Sequence, residues 1–309
     1  MEIVYAADAA FRANEYVATV GFFDGVHAGH RFLIEELKNI AAEQGRKSAV
    51  FTFAQHPRKV LHSDFQPALI TTLEEKLFQL GTTGVDACVV LDFTLEMSKL
   101  SAYQFLYTAL FSQYRVRTLL VGHDHRFGHN RAEGFADYKK YGQEMGLEVV
   151  QAQRYSTPEF THISSSEIRQ ALQQGDVVKA HKLLTYAYSF EGEVIDGFKV
   201  GRKIGFPTAN LKPFDAEKLI PGIGVYAVTV KWKNDLLKGM MNIGLRPTLE
   251  NGEQVSLEIN IFDFDKDIYN EHLEVSFIQK IRDEQKFDGI EALIEQLNRD
   301  KQTVLEVLG

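Results

Sequence analysis

The sequence has few cysteines, no excess of positive charge and no long apolar run. Cys88 is the single cysteine in 309 residues, which excludes a disulfide framework within the chain and favours a reducing compartment. Lysine and arginine number 34 against 42 aspartates and glutamates, which argues against a nucleic-acid-binding surface. The first residues lack the basic and apolar regions of a signal peptide, and no apolar run approaches the roughly 20 residues that span a bilayer. We therefore expect a cytoplasmic protein without nucleic-acid or membrane partners.

Length and hydrophobic pattern predict two domains. The chain exceeds the usual size of one domain, and its 45% hydrophobic and 25% charged residues are typical of a globular protein. Up to residue 184, β-rich runs alternate with helical patterns, which predicts an α/β domain with a doubly wound parallel sheet. From residue 185, alternating apolar runs and turn residues predict a small antiparallel β-barrel with a terminal helix. The predicted domains are therefore residues 1–184 and residues 185–309.

A glycine-rich turn at residues 21–30 (GFFDGVHAGH) is the strongest functional signal in the first domain. An apolar run leads into it and apolar residues at helical spacing follow, which predicts a strand, a turn and a helix start. A helix start leaves backbone N–H groups without partners, and glycine lets this backbone approach an anion. His27 and His30 add side-chain donors, so the turn predicts a nucleotide phosphate site rather than two surface histidines. The remaining predicted phosphate-binding residues of the turn are Gly21, Phe22, Asp24, Gly25 and Gly29.

Two further loops follow predicted strands of the same sheet, and we expect them to face the same crevice. The first contains His56 and Pro57, where His56 is predicted to contact a substrate, with a plain turn residue as the alternative. The second is residues 122–128 (GHDHRFG), and a metal site is the weaker alternative there because no distant ligand pair would close it. The candidate metal ligands are His123, Asp124, His125 and His129.

Residues 163–169 (ISSSEIR) predict a second anion site. Ser164 and Glu167 have the spacing of a capping box, so a helix is expected to begin here. Its free N–H groups, the hydroxyls of residues 164–166 and Arg169 one turn later would together bind an anion. The alternative is an ordinary capped helix with a solvent-facing arginine.

The second domain contains a basic glycine-rich loop at residues 201–210 (GRKIGFPTAN) and an acidic residue in an alternating strand. Glycines beside Arg202 predict a flexible loop that wraps polyphosphate. Thr208 and Asn210 alternate on one side of the chain, where a hydroxyl and an amide oxygen would bind Mg²⁺. Glu258 is predicted to be a general base, and the alternative is an outward carboxylate on a polar strand face.

These segments together resemble a known family. Residues 21–30 and 163–169 resemble the HxGH and ISSSxIR signatures of nucleotidyltransferases, and GFFDGVHAGH resembles their form in bacterial bifunctional riboflavin kinase/FMN adenylyltransferases. Residues 201–210 resemble the riboflavin kinase motif GRxxGFPTAN. The resemblance covers nearly the whole chain, with both motif sets in the family's order.

The resemblance implies two consecutive reactions. ATP and riboflavin would give FMN and ADP in the second domain, and ATP and FMN would then give FAD and pyrophosphate in the first. Mg²⁺ would accompany ATP, while FMN and FAD would be substrate and product rather than prosthetic groups. Attack of an FMN phosphate oxygen on the α-phosphorus needs positioning and charge neutralisation, so no nucleophilic residue is expected. The rival interpretations are an adenylyltransferase whose β domain only binds flavin, and a flavin-binding regulator without turnover.

The resemblance also implies roles for individual residues. Catalysis is assigned to His27, His30 and Glu258, and Mg²⁺ binding to Thr208 and Asn210. ATP and phosphate binding is assigned, besides the turn, to Ser164, Ser165, Ser166, Arg169, Gly201, Arg202 and Gly205. Flavin binding is assigned to His56, Pro57, Asp124, Phe127 and Arg282, and Arg246 would lie in a loop that packs near both substrates. The chain departs from the family pattern at Gln55, where proline is usual, at His125, where an aromatic residue is common, and at Asn270, where glycine is usual.

Overall fold

A computed structural model describes residues 1–5, 14–61, 67–123, 125–129, 132–160, 163–196, 201, 204–247 and 253–309. The chain divides into two compact units, Met1–Ser164 and Ser165–Gly309. The two helices between residues 165 and 184 thus pack within the second unit, although their sequence pattern continues that of the first.

The first unit is built on a six-stranded parallel sheet with the order β1-β4-β3-β2-β5-β6. Its strands are β1 (Glu2–Tyr5), β2 (Tyr16–Val20), β3 (Lys47–Phe53), β4 (Ala87–Leu91), β5 (Val116–Val121) and β6 (Glu148–Gln151). Its helices are α1 (Ala28–Glu43), α2 (Pro57–Val60), α3 (Leu73–Gly81), α4 (Leu95–Ser98), α5 (Ala102–Phe105), which continues as a π-helix (Leu106–Ser112), and α6 (Phe135–Met145). This confirms the predicted α/β class.

Alternating side chains of the strands bury two separate apolar faces. Tyr16, Ala18 and Val20 of β2 lie in one core cluster with residues of α5 and α6. Val17 lies in the other, with residues of α1 and α3. Both faces of the sheet are therefore covered by helices, as the near-continuous apolar runs of the strands predict.

The sheet has a topological switch point between β2 and β5. The chain proceeds from β2 to β3 and β4 on one side, then crosses to β5 and β6 on the other. Ala18 pairs with Leu119, so the residues three positions later, Gly21 and Gly122, leave their strands at the same level. Ligands of such sheets bind in the crevice beyond the carboxyl ends of the strands at this point.

The second unit is a closed antiparallel barrel with the order β10-β11-β8-β7-β12-β9, which confirms the predicted β class. Its strands are β7 (Ser189–Ile195), β8 (Ala209–Pro213), β9 (Gly224–Trp232), β10 (Asp235–Pro247), β11 (Glu253–Ile261) and β12 (His272–Arg282). Its helices are α7 (Ser165–Gln173), α8 (Val177–Leu184) and α9 (Ile290–Leu308). Val304 of α9 packs in a cluster with Phe206, Met240 and Phe262, so the predicted terminal helix covers part of the barrel.

No helix among the described residues combines the length and the apolar character needed to cross a membrane.

Candidate active sites

The turn after β2 is tightly wound and buried. Phe23, Gly25 and Val26 have φ values of 55°, 79° and 36°. Phe23 and Val26 are nearly or fully buried in the core. A β-branched residue such as Val26 rarely adopts positive φ, so the surrounding structure must hold this conformation.

Asp24 holds the turn against the segment that precedes α3. Its carboxylate accepts hydrogen bonds from the backbone N–H groups of Ile70 (3.1 Å) and Thr71 (2.9 Å) and from Thr71 Oγ1 (3.1 Å). The backbone N–H of Gly25 in turn donates to Thr71 Oγ1 at 3.0 Å. Asp24 is therefore a buried anchor of the loop, and its predicted contact with phosphate stays a prediction.

His27 and His30 form a stacked pair at the start of α1. Their ring centroids are 3.6 Å apart with an interplanar angle of 16°. His27 is the N-cap residue, and its Nδ1 accepts from the backbone N–H of His30 at 3.3 Å. Phe23 contacts the His30 ring edge-on at 5.0 Å. The two histidines that the sequence singled out are thus held in contact, beside the free N–H groups of a helix N-terminus.

Burial and neighbouring groups disfavour the charged form of His30. Burial lowers the pKa of His30 well below its ordinary value, and positive charge on His27, His125 and Lys76 lowers this pKa further. Its Nδ1 is buried and has no hydrogen-bond partner among the described residues. A neutral imidazole with an unsatisfied buried nitrogen is suited to bind a substrate group at this position.

Gly29 leaves room for the stacked pair. A Cβ atom on Gly29 would lie 3.3 Å from both Cε1 and Nδ1 of His27, which is tighter than ordinary van der Waals contact. Glycine at this position therefore lets the His27 ring lie against the first turn of α1.

Lys76 is a functional candidate that the sequence analysis missed. It is 1% exposed, and its Nζ donates to the carbonyl oxygen of Phe53 at 2.8 Å. The same atom lies 4.0 Å from the ring centroid of Phe22, whose ring contacts that of His56 edge-on at 4.6 Å. Burial lowers the pKa of Lys76 to about 8, while Asp24 opposes the shift. Its position in the apolar spacing of α3, four residues before Leu80, was the signal that could have revealed it.

The predicted flavin-binding residues of the first unit lie in short, defined turns. His56 caps α2, since its Nδ1 accepts from the backbone N–H of Arg58 at 3.1 Å, and Pro57 opens that helix. Phe127 stacks on Tyr138 with ring centroids 4.1 Å apart. Asp124 lies outside the described residues.

The histidines after β5 do not form a metal cluster in the described part of the chain. The Nδ1 atom of His129 lies 3.2 Å from the carbonyl oxygen of Ser98, within hydrogen-bond distance. No group of three or more histidine, cysteine or acidic side chains suited to a metal occurs among the described residues. The metal-site alternative therefore gains no support there.

The helix predicted at residues 163–169 begins at Ser165. Ile168 faces the core, while Glu167 pairs with Lys179 of α8 at 2.9 Å. Phosphate binding by Ser164, Ser165, Ser166 and Arg169 stays a prediction.

Backbone hydrogen bonds within the basic loop of the second unit join its first residue to its later ones. The carbonyl oxygen of Gly201 accepts from the backbone N–H groups of Ile204 (3.2 Å) and Phe206 (2.9 Å). A Cβ atom on Gly201 would lie 2.2 Å from the carbonyl oxygen of Phe206, and Gly205 has φ of 82°. Both glycines are therefore required by the backbone path, while Arg202 lies outside the described residues.

The loop leads into β8, which brings the predicted metal ligands to the predicted base. Asn210 pairs directly with Glu258 across β8 and β11. Thr208 precedes Asn210 by two residues, and its Oγ1 lies close to Gly201. Asn260 is 6% exposed and donates from Nδ2 to the carbonyl oxygen of Pro207 at 2.6 Å. The loop thus partly covers the polar face of β11. The alternative interpretation of Glu258, an outward carboxylate on a polar strand face, assumes that this face is open.

A cavity of about 680 Å³ opens beside this loop. Its walls come from the loop, the end of β11 and one face of α9, and they include Gly205, Asn260, Asp263, Asn298 and Lys301. Asp265 also lines the cavity, and the Nζ atom of Lys301 lies 3.8 Å from Oδ1 of Asp263, so the charge of the lining is mixed.

Arg282 is bound to the terminal helix. Its Nε and Nη2 donate to the carboxylate of Asp300 at 2.8–3.1 Å, and Asp300 is 2% exposed. Gln296 donates to the same carboxylate at 2.8 Å. In this structure the guanidinium therefore connects β12 to α9, and its predicted contact with flavin stays a prediction. Arg246 lies at the end of β10, where the structure describes only the strand.

Comparison with known proteins agrees with the two-unit organisation. The family model described as FAD synthetase matches residues 10–167, and the model described as riboflavin kinase matches residues 184–308. A protein of Listeria monocytogenes named bifunctional riboflavin kinase/FMN adenylyltransferase is 38% identical to this chain, and the match covers 93% of this chain and 90% of that protein. A protein of Bacillus subtilis with the same name is also 38% identical, and the match covers 94% of this chain and 91% of that protein.

A solved structure has the same fold over nearly the full length. A crystal structure described as a macrolide-efflux protein from Streptococcus pneumoniae matches with a TM-score of 0.88 and 31% identity, covering 98% of this chain and 99% of that one. Its description names a transport activity and so differs from the names of the sequence relatives. Because two family models and full-length relatives agree, this chain belongs to the family of bifunctional riboflavin kinase/FMN adenylyltransferases.

Proposed function

We propose that the chain converts riboflavin and ATP to FMN and ADP in its second unit, and FMN and ATP to FAD and pyrophosphate in its first. The observation that carries the proposal is that the two family models divide the chain between the two reactions, with the FAD synthetase model over residues 10–167 and the riboflavin kinase model over residues 184–308. Residues 185–309 are proposed as the kinase domain and residues 1–184 as the adenylyltransferase domain.

In the adenylyltransferase reaction, the start of α1 binds the phosphates of ATP. The free N–H groups of the helix and the stacked rings of His27 and His30 present donors to one point. As an FMN phosphate oxygen attacks the α-phosphorus and pyrophosphate leaves, these donors stabilise the charge on the oxygens in transfer. Burial lowers the pKa of His30, which favours a neutral imidazole as the hydrogen-bond donor at this position.

In the kinase reaction, Glu258 accepts the proton of the riboflavin hydroxyl as its oxygen attacks the γ-phosphorus. The loop at residues 201–206 binds the ATP phosphates through its backbone, and the adjacent cavity takes the nucleotide. Thr208 and Asn210 offer a hydroxyl and an amide oxygen beside the Glu258 carboxylate, a set of hard oxygen donors that fits Mg²⁺. When bound there, Mg²⁺ would neutralise charge on the ATP phosphates.

The other proposed properties follow from the sequence. ATP, riboflavin, FMN and FAD are the proposed small-molecule partners, with no nucleic-acid or membrane partner. A cytoplasmic location is proposed from the single cysteine, which suits a reducing compartment.

The test is chromatographic. The pure full-length protein is incubated with riboflavin and Mg-ATP, and FMN and FAD are followed over time. FMN that appears first and then declines as FAD rises supports both reactions. FAD from added FMN without FMN from riboflavin would favour the adenylyltransferase whose β domain only binds flavin. If both riboflavin and added FMN stay unconverted, the enzyme proposal is wrong. The result would then favour the rival interpretation, a flavin-binding regulator without turnover.

A further inference from the structure

The loop after β5 brings an additional imidazole to the adenylyltransferase crevice. β2 and β5 are neighbours in parallel register, and the loops at Gly21 and Gly122 start at the same level of the sheet. One loop carries His27 and His30, and the other carries His125, three residues beyond its glycine. The backbone N–H of His125 donates to the carbonyl oxygen of Gly122 at 3.0 Å, so the chain turns directly at the strand end.

His125 is half-buried and its ring has a defined place. The ring centroid lies 5.9 Å from that of Phe127, which is stacked on Tyr138. Tyr138 fixes Phe127 further, since its hydroxyl accepts from the backbone N–H of Phe127 at 3.0 Å. The packed aromatic rings therefore orient His125 from one side.

The space between these loops is rich in donors. Three neighbouring groups lower the pKa of His30 in addition to burial: His27 beside it, Lys76 from α3, and His125 from the loop after β5. The nearby carboxylate of Asp24 is directed at the backbone of residues 70 and 71. The buried Nδ1 of His30 also lacks a partner among the described residues. Imidazole and ammonium donors brought near one another in this way are suited to an anionic ligand.

We propose that His125 is a phosphate-binding residue of the adenylyltransferase site, donating a hydrogen bond from its ring N–H to a phosphate oxygen of one of the two substrates. The inference rests on the proposed adenylyltransferase function and adds a residue to its site. The shared ligand chemistry is a phosphate group, which belongs either to ATP or to FMN.

The experiment uses the full-length protein and measures FAD formation with ATP and FMN varied in turn. His125→Phe keeps a ring against Phe127 but removes the donor, and we expect it to raise KM for one substrate about tenfold, the effect of losing one charge-assisted hydrogen bond. If only the KM for ATP rises, the contact is to the polyphosphate of ATP. If only the KM for FMN rises, the contact is to the flavin phosphate. The unchanged KM of the second substrate shows that the unit is folded.

Two further variants distinguish binding from packing. His125→Gln restores an N–H donor without a ring, and we expect a smaller rise in the same KM. His129→Phe makes the matched change in the same loop at a ring that faces Ser98, and it should leave both KM values unchanged. The proposal is overturned if His125→Phe leaves both KM values within about twofold of wild type, or if His125→Phe and His125→Gln raise both equally. Absence of FAD formation by the wild-type protein would instead overturn the proposed function.

Discussion

At the scale of single residues, two charged side chains are buried near the predicted adenylyltransferase crevice, and burial of a charge lowers the stability of the fold. Lys76 is buried against Phe22 and the carbonyl oxygen of Phe53, and its pKa is lowered to about 8. Asp24 is buried nearby with its oxygens accepting from residues 70 and 71. Natural cores rarely contain such groups unless they are paired, so their presence around the turn indicates that they position the turn for a ligand.

The lowered pKa of Lys76 predicts a pH-dependent stability. Between pH 8 and the ordinary pKa of 10.5, the unfolded chain binds more protons than the folded one, so stability rises with pH in this window. The free energy of unfolding of the wild type minus that of Lys76→Met should rise by at most about 1.4 kcal/mol per pH unit. Urea unfolding followed by far-ultraviolet circular dichroism measures this difference, with Trp232 fluorescence reporting the second unit separately. A difference independent of pH would contradict the prediction.

The Arg282–Asp300 pair predicts a large effect in the second unit. Asp300 is 2% exposed and accepts from both Arg282 and Gln296, so Asp300→Ala leaves a guanidinium without its partner. We expect a loss of about 3 kcal/mol in the free energy of unfolding, measured by Trp232 fluorescence in urea. Asp283→Ala is the matched control, because that carboxylate is exposed and pairs with the Lys280 side chain at 2.6 Å. An equal effect of both changes would contradict a special role for Asp300.

At the scale of elements, the turn between β2 and α1 determines the geometry of the catalytic pair. Positive φ at Phe23, Gly25 and Val26 winds the chain so that α1 starts with His27 as its N-cap. Hydrogen bonds between the turn and Thr71, in the segment that precedes α3, hold this conformation. The stacked histidines therefore depend on two other elements as well as on their own helix.

Gly29→Ala tests this geometry. The added Cβ would lie 3.3 Å from the His27 ring, so the ring must move by a few tenths of an ångström. Because phosphoryl transfer depends on alignment, we expect FAD formation to fall at least about tenfold while FMN formation from riboflavin is unchanged. Gly134→Ala, at the N-cap of α6, is the control, since nothing lies within 4 Å of its added Cβ. Wild-type FAD formation by Gly29→Ala would show that the contact is unimportant.

At the scale of the whole molecule, the two reactions are assigned to separate compact units. His30 belongs to the first unit and Glu258 to the second, and each has its own set of partners. Since neither side chain contributes to the other predicted site, the two activities should be separable by single substitutions.

His30→Ala and Glu258→Gln provide the paired test. His30→Ala should abolish FAD formation from FMN and spare FMN formation from riboflavin, because it removes a phosphate donor of the first unit only. Glu258→Gln should do the reverse, because an amide cannot accept the hydroxyl proton. Both rates are measured on the same preparations by chromatography, so each variant controls for the folding of the other. Loss of both activities from either substitution would contradict the two-site arrangement.

The sequence predicted two domains, the turn at residues 21–30 and the loop at residues 201–210, but it placed the domain boundary after residue 184, whereas the compact units divide after Ser164. These depend on local spacing of apolar residues, glycines and caps, which a single chain displays directly. Local spacing does not distinguish the short α-helix Ala102–Phe105 from the π-helix Leu106–Ser112 that continues it. Only the tertiary structure decided that Asp24 faces Thr71, that Lys76 reaches Phe22 and that Arg282 binds Asp300. Each of these contacts joins elements distant in sequence, so its geometry depends on packing that no local pattern encodes.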